Sequence, residues 1–149
     1  PIIDSGRVLA LGQGGRMAAY ELVTGQRVWE LNLSGISTPA LAGEWLFTLT
    51  SDARLLAIAR STGKVRWITQ LARYRDEKDR EGPIFWTGPV LANNMLYMAN
   101  SRGELWQASV GEGSANMLSK VSGSVSLPPI IANNMLYVLD DSGTITAFR

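Results

Sequence analysis

The chain of 149 residues contains no cysteine and no histidine. Without cysteine there can be no disulfide bond, thiolate metal ligand or cysteine nucleophile, and without histidine there is no imidazole base or ligand. Most familiar catalytic constellations are therefore excluded. We predict that the chain is not an enzyme and that it has no catalytic, cofactor-binding or metal-binding residues.

The sequence also lacks a dominant charge and long apolar runs. Because 14 Lys and Arg residues oppose 13 Asp and Glu residues, the net charge is only +1 and we expect no nucleic-acid partner. No apolar stretch approaches the roughly 20 residues that span a bilayer. The first residue is Pro1 rather than Met, so we expect targeting information in an upstream segment. An apolar content of 46% predicts a folded domain.

The most informative feature of the sequence is an internal repeat. The stretches LANNMLYMAN at residues 91–100 and IANNMLYVLD at residues 131–140 share six consecutive letters. Aligning the prolines at positions 1, 39, 89 and 129 gives four copies with spacings of 38, 50 and 40 residues. The predicted copies are residues 1–38, 39–88, 89–128 and 129–149, and the last lacks a fourth strand.

Turn residues divide each copy into short apolar runs. The two-residue turns predicted after the first run are Ser5-Gly6, Gly43-Glu44, Asn93-Asn94 and Asn133-Asn134. Four short strands with three hairpin turns in about 40 residues are typical of a β-propeller blade. The sequence therefore predicts an all-β propeller of four-stranded antiparallel blades. About four blades are present, which we expect to be half of an eight-bladed ring, with a four-bladed ring as the alternative.

Two copies carry a Thr-Gly-x-x-x-Trp motif. The segments TGQRVW and TGKVRW resemble the tryptophan-docking repeat of the PQQ-type propellers, in which an indole on the outer strand packs against the neighbouring blade. This resemblance implies structural docking roles for four residues, namely Gly25, Trp29, Gly63 and Trp67. The third copy has Met117 in place of the tryptophan, and we expect weaker docking there.

A narrower resemblance involves the insertion that lengthens one repeat. The segment WITQLARYRDEKDREGPIFWTGPVLANNMLY and the ending DDSGTITAFR are similar to the BamB family, particularly its α-proteobacterial branch, with this chain as the C-terminal half. The resemblance implies a non-enzymatic scaffold of the outer-membrane β-barrel assembly machinery that binds the periplasmic domains of the barrel-inserting subunit. It also implies a lipoprotein on the periplasmic face of the outer membrane, with its lipid anchor outside this chain.

Candidate partner-binding residues fall in two segments. RYRDEKDRE at residues 73–81 holds four basic and four acidic residues, and is interpreted either as a solvated loop or as a docking surface beside Tyr74, Phe85 and Trp86. The predicted turn at residues 50–54 matches a loop that is more acidic in the family. The candidates from both segments are Asp52, Arg54, Arg73, Tyr74, Arg75, Arg80 and Trp86.

Two other functions stay open at this point. One is a propeller of the same repeat type that binds another periplasmic protein or a polysaccharide. The other is a dehydrogenase that uses PQQ and Ca²⁺, which would need a calcium cage, a base Asp and commonly a cysteine pair. Asp140 and Asp141 are the available acids, but they lie in a predicted turn. Open blade faces also predict that the half propeller self-associates.

Overall fold

The computed structural model describes all 149 residues and consists of antiparallel strands joined by turns and connectors. This confirms the predicted all-β fold. The structure contains no helix with the length and hydropathy needed to cross a membrane.

The strands form four large sheets and one small ribbon. The first sheet holds β1 (Ile2–Asp4), β2 (Arg7–Leu11), β3 (Met17–Glu21) and β4 (Arg27–Leu31), paired in chain order. The second holds β5 (Ala40–Ala42), β6 (Trp45–Leu49), β7 (Arg54–Ala59) and β8 (Val65–Gln70). The ribbon pairs β9 (Tyr74–Asp76) with β10 (Glu81–Pro83). The third sheet holds β11 (Trp86–Ala92), β12 (Met95–Asn100), β13 (Glu104–Ser109) and β14 (Ala115–Lys120). The fourth holds β15 (Ile130–Ala132), β16 (Met135–Leu139) and β17 (Ile145–Phe148).

The repeated Asn pair forms a tight hairpin turn. Asn93 and Asn94 have φ angles of 48° and 60°, and the second pair, Asn133 and Asn134, has 51° and 59°. Positive φ at both central residues defines a type I′ turn, which asparagine tolerates better than most residues. The two-residue turn fixes the register that follows, so Ala92 lies opposite Met95. The ANNMLY repeat is thus a turn followed by the start of the next strand.

The hydrophobic core lies between adjacent sheets. Its three clusters of buried side chains occupy the first-to-second, second-to-third and third-to-fourth interfaces. Strand β7 shows how one sheet serves two interfaces. Leu55 and Ala57 belong to the cluster shared with the third sheet, whereas Leu56 and Ile58 belong to the cluster shared with the first. Because alternate side chains point to opposite faces and both faces are covered, the strand reads as an uninterrupted apolar run.

Each docking tryptophan packs on the following sheet. The Trp29 indole is 8% exposed and its Nε1–H donates to the carbonyl of Arg60 at 2.8 Å. A Cβ atom at Gly63 would lie 2.9 Å from the Trp29 ring. Trp67 repeats the arrangement one sheet later, where its Nε1–H donates to the carbonyl of Val110 at 3.0 Å. A tryptophan therefore rests on the glycine turn of the next sheet, and not on the glycine of its own motif.

This arrangement separates the predicted docking residues into two kinds. Gly63 lies under an indole, but a Cβ at Gly25 would meet no atom within 4 Å. The glycine that receives Trp67 is Gly113, where a Cβ would lie 2.5 Å from the ring. Met117, at the tryptophan position of the third sheet, is 50% exposed. Docking through an indole thus joins the first three sheets only.

Candidate partner-binding surface

The turn at residues 50–54 is held by its own side chains. Thr50 Oγ1 donates to Asp52 Oδ1 at 2.5 Å and accepts the backbone N–H of Arg54 at 3.1 Å. Arg54 Nε lies 2.8 Å from Asp52 Oδ2. Gln70 on β8 also stabilises the turn, because its Nε2 donates to the carbonyls of Asp52 and Ala53. The charges of Asp52 and Arg54 therefore neutralise each other across the turn.

The environment of Asp52 favours its charged form. Partial burial acts to raise the pKa of the carboxyl, but the hydrogen bond from Thr50 and the Arg54 guanidinium outweigh it. The net effect lowers the pKa from its ordinary value of 3.8. A carboxyl whose pKa is depressed by folding stabilises the fold above its unfolded pKa, and that contribution is lost as the pH falls through the folded value.

Asp52→Asn is expected to reduce the free energy of unfolding near neutral pH and to have little effect in acid. The amide cannot form an ion pair with the Arg54 guanidinium, whereas the wild-type carboxyl loses the same ion pair as the pH falls through its lowered pKa in the folded protein. Denaturant unfolding of both proteins at about pH 6 and about pH 2 measures the gap. A gap of equal size at both pH values would contradict the assignment.

The insertion at residues 73–83 forms a ribbon rather than an irregular loop. Glu77 Oε1 accepts the backbone N–H groups of Arg73 at 2.7 Å and Tyr74 at 3.2 Å. Asp76 Oδ1 closes the tip by accepting the N–H groups of Lys78 and Asp79 at 3.0 and 3.1 Å. Two of its acidic side chains are thus used to fix the backbone. The sequence did not predict this hairpin, because its strands span only three residues each and carry almost no apolar side chains.

The cations of the ribbon have no carboxylate partner. None of its basic side chains lies within 4.0 Å of an acidic oxygen, although the segment is neutral by composition. These unpaired side chains are Arg73, Arg75, Lys78 and Arg80. The guanidinium of Arg73 lies over the Tyr74 ring, with its Cζ 5.6 Å from the ring centroid.

Two adjoining clefts bring the ribbon and the turn together. The larger has a volume of about 240 Å³ and the smaller about 80 Å³. Ser51, Ala53, Ile84 and Phe85 line both. The larger cleft extends to Ile36, and the smaller to the ribbon. We call the surface around both clefts, from Ile36 across the turn at 50–54 to the ribbon, the ribbon face.

Exposed apolar side chains flank the larger cleft. Ile36 is 73% exposed and Phe85 is 70% exposed. Both belong to connectors that lead from one sheet to the next, on either side of the turn at 50–54. Exposing a large apolar side chain to water is unfavourable. Two such side chains beside one cleft are therefore typical of an interaction surface. Sequence reasoning missed Ile36, whose one visible signal is a large apolar residue between Gly35 and Ser37 in a polar connector.

The candidate residues from the sequence are distributed unevenly over the ribbon face. Arg73, Tyr74 and Trp86 line the clefts. Trp86 also stabilises the fold. Its Nε1–H donates to the carbonyl of Ala72 at 2.7 Å, and its ring packs edge-on against Trp106 at a centroid distance of 5.7 Å. The other four candidates lie outside the lining of either cleft: Asp52, Arg54, Arg75 and Arg80.

The acids considered for a calcium site accept hydrogen bonds from neighbouring residues. Asp140 Oδ1 accepts the N–H groups of Ser142 and Thr144, each at 3.0 Å, and the hydrogen bond from the Ser142 hydroxyl is the main cause of its lowered pKa. Asp141 Oδ2 accepts the hydroxyl of Ser126 at 2.8 Å. No group of three or more acidic, His or Cys side chains in the chain is placed to hold a metal ion.

Comparisons with known proteins agree with the repeat and the fold. A family model described as outer membrane protein assembly factor BamB matches residues 1–69. BamB of Salmonella typhimurium is 27% identical over 124 residues, which cover 83% of this chain and 29% of the relative. The crystal structure of BamB from Moraxella catarrhalis superposes with a TM-score of 0.84 at 19% identity, covering 99% of this chain and 41% of that one.

The chain is also similar in sequence to a dehydrogenase. The quinoprotein alcohol dehydrogenase PedH of Pseudomonas putida is 29% identical over 115 residues, which cover 70% of this chain and 18% of the relative. The chain thus spans less than a third of the length of the Salmonella BamB and of PedH. The family model and the two BamB proteins agree with the docked four-stranded sheets, and the chain is a β-propeller that is similar to BamB in sequence and in fold.

Proposed function

We propose that the chain is part of a non-enzymatic scaffold in outer-membrane β-barrel assembly, and that it binds the periplasmic domains of the barrel-inserting subunit. The observation that carries the proposal is the match to BamB in both repeat and fold along the chain. In this proposal the protein lies on the periplasmic face of the outer membrane, held by a lipid anchor of the full-length protein and not by these residues.

The ribbon face is the proposed contact surface. It combines exposed apolar side chains at Ile36 and Phe85 with unpaired cations on the ribbon. Aromatic and arginine side chains are enriched among the residues that dominate interface energetics. The candidates outside the clefts remain part of the proposal as the polar rim, where charge sets orientation more than affinity. These rim residues are Asp52, Arg54, Arg75 and Arg80.

A dehydrogenase function is the second candidate, and the similarity to PedH is what favours it. It would require side chains free to ligate Ca²⁺. Asp140 and Asp141 already accept hydrogen bonds that fix their turn and the neighbouring connector. This use of both acids counts against the dehydrogenase, while the match to BamB carries the scaffold proposal.

Phe85→Ala is expected to weaken binding to the purified periplasmic domains of the barrel-inserting subunit by at least about tenfold, or ~1.4 kcal/mol. The side chain is 70% exposed, so its loss should leave the fold intact. Val23→Ala is the matched control, because Val23 is 92% exposed in the turn between β3 and β4, away from both clefts. Calorimetric titration gives both affinities. Equal affinities for the two variants would remove the ribbon face from the interface.

A further inference from the structure

The chemistry of the ribbon face specifies the kind of segment that it receives. The larger cleft, at about 240 Å³, is smaller than the roughly 300 to 1,000 Å³ typical of small-molecule sites. It is also open between two exposed apolar side chains, Ile36 and Phe85, with Leu49, Ala53 and Ile84 buried beneath them. A cleft of this size and lining suits one large apolar side chain of a partner protein.

The charge at the clefts has one sign. No Asp or Glu lines either cleft, and Arg73 in the smaller cleft is the one Lys or Arg residue in either lining. Asp52, the acid of the adjacent turn, is paired with Arg54. Glu77, the acid nearest to Arg73 along the chain, accepts two backbone N–H groups and forms no ion pair. Arg73 is thus an exposed cation without a carboxylate partner in the smaller cleft, which shares a wall with the larger apolar cleft.

We infer that the ribbon face binds an extended protein segment in which a large apolar side chain is flanked by carboxylates. The apolar side chain enters the cleft between Ile36 and Phe85, and a flanking carboxylate pairs with Arg73. An arginine guanidinium matches a carboxylate through two parallel N–H···O bonds, so it selects for charge and for orientation together. This inference rests on the proposed function for the identity of the partner, but its chemistry can be tested without that partner.

Three synthetic hexapeptides provide the test of the chemistry. They are Gly-Glu-Glu-Phe-Glu-Gly, the lysine analogue Gly-Lys-Lys-Phe-Lys-Gly, and the alanine analogue Gly-Glu-Glu-Ala-Glu-Gly. Titration of the isotope-labelled chain by NMR is expected to show binding of the first peptide, with amide shifts confined to residues 36–37, 49–53 and 73–86. The other two peptides should bind at least about tenfold more weakly.

Charge reversal supplies the decisive variant. Arg73→Glu is expected to invert the preference, so that the lysine peptide binds more tightly than the glutamate peptide. Lys64→Glu is the matched control, since Lys64 is an exposed cation in the turn between β7 and β8 and forms no ion pair. It should leave the preference unchanged. Equal binding of all three peptides, absence of binding, shifts elsewhere, or an unchanged preference in Arg73→Glu would each overturn the inference.

A parallel titration with the periplasmic domains of the barrel-inserting subunit separates the two proposals. If those domains bind the wild-type chain and Arg73→Glu equally, the inference fails and the scaffold proposal stands. If the peptides behave as expected but the domains do not bind, the scaffold proposal fails and the chemistry of the ribbon face stands.

Discussion

Replacing Trp29 with alanine is expected to lower the free energy of unfolding by about 3 to 5 kcal/mol. The indole is 8% exposed and belongs to the cluster between the first and second sheets. Its removal leaves a cavity there, because the strands on both sides are fixed by their own backbone hydrogen bonds and cannot close the space. It also leaves the carbonyl of Arg60 without its 2.8 Å donor. Denaturant unfolding followed by fluorescence or circular dichroism gives the difference.

Two further variants separate packing from hydrogen bonding in this prediction. Trp29→Phe keeps most of the ring but removes the Nε1–H group, and it should cost about 1 to 3 kcal/mol. Met117→Ala changes the equivalent position of the third sheet, where the side chain is 50% exposed, and it should cost about 1 kcal/mol or less. If Trp29→Ala and Met117→Ala were equally mild, indole docking would not be what joins the sheets.

Gly113→Ala is expected to destabilise the chain by about 2 to 5 kcal/mol. Gly113 has a φ angle of 72°, a conformation that costs a residue with a Cβ about 1 to 2 kcal/mol. The added Cβ would also lie 2.5 Å from the Trp67 ring and 2.6 Å from Thr69 Oγ1. The ring is held by its hydrogen bond to Val110, so the collision must be relieved by separating the two sheets. Thermal or denaturant unfolding measures the loss.

Gly25→Ala is the matched control for this substitution. Gly25 occupies the corresponding turn of the first sheet with nearly the same φ angle, 71°, but a Cβ there would meet nothing within 4 Å. It should therefore show the backbone cost alone, about 1 to 2 kcal/mol. The difference between the two variants is the contribution of the contact with the indole. Equal losses for the two variants would mean that Trp67 does not press on Gly113.

Some features of the ribbon face could be predicted from the sequence and others could not. The high proportion of charged residues at positions 73–81 correctly indicated an exposed segment. The same composition gave no sign that Glu77 and Asp76 would bond to backbone N–H groups while the four cations stay unpaired. Net charge counts residues, whereas pairing depends on where each side chain points once the hairpin has formed.

The blade-docking residues show a similar division. The motif spacing marked Trp29 and Trp67 as residues with a common role, because each stands four positions after a turn glycine. It could not indicate that each indole rests on the glycine of the following sheet, at Gly63 and Gly113. That choice is made by the packing of one sheet on the next, which joins residues more than thirty positions apart.

The repeat in the sequence determined the local structure of this protein outside the ribbon: short antiparallel strands, their turns and the number of large sheets. Those features depend on backbone conformation and on alternation within a few residues, which the sequence records directly. Only the tertiary structure decided which sheet receives each indole and which connectors and turns meet beside the ribbon. These contacts depend on the angle and separation of neighbouring sheets, and the summed packing of three core clusters sets both.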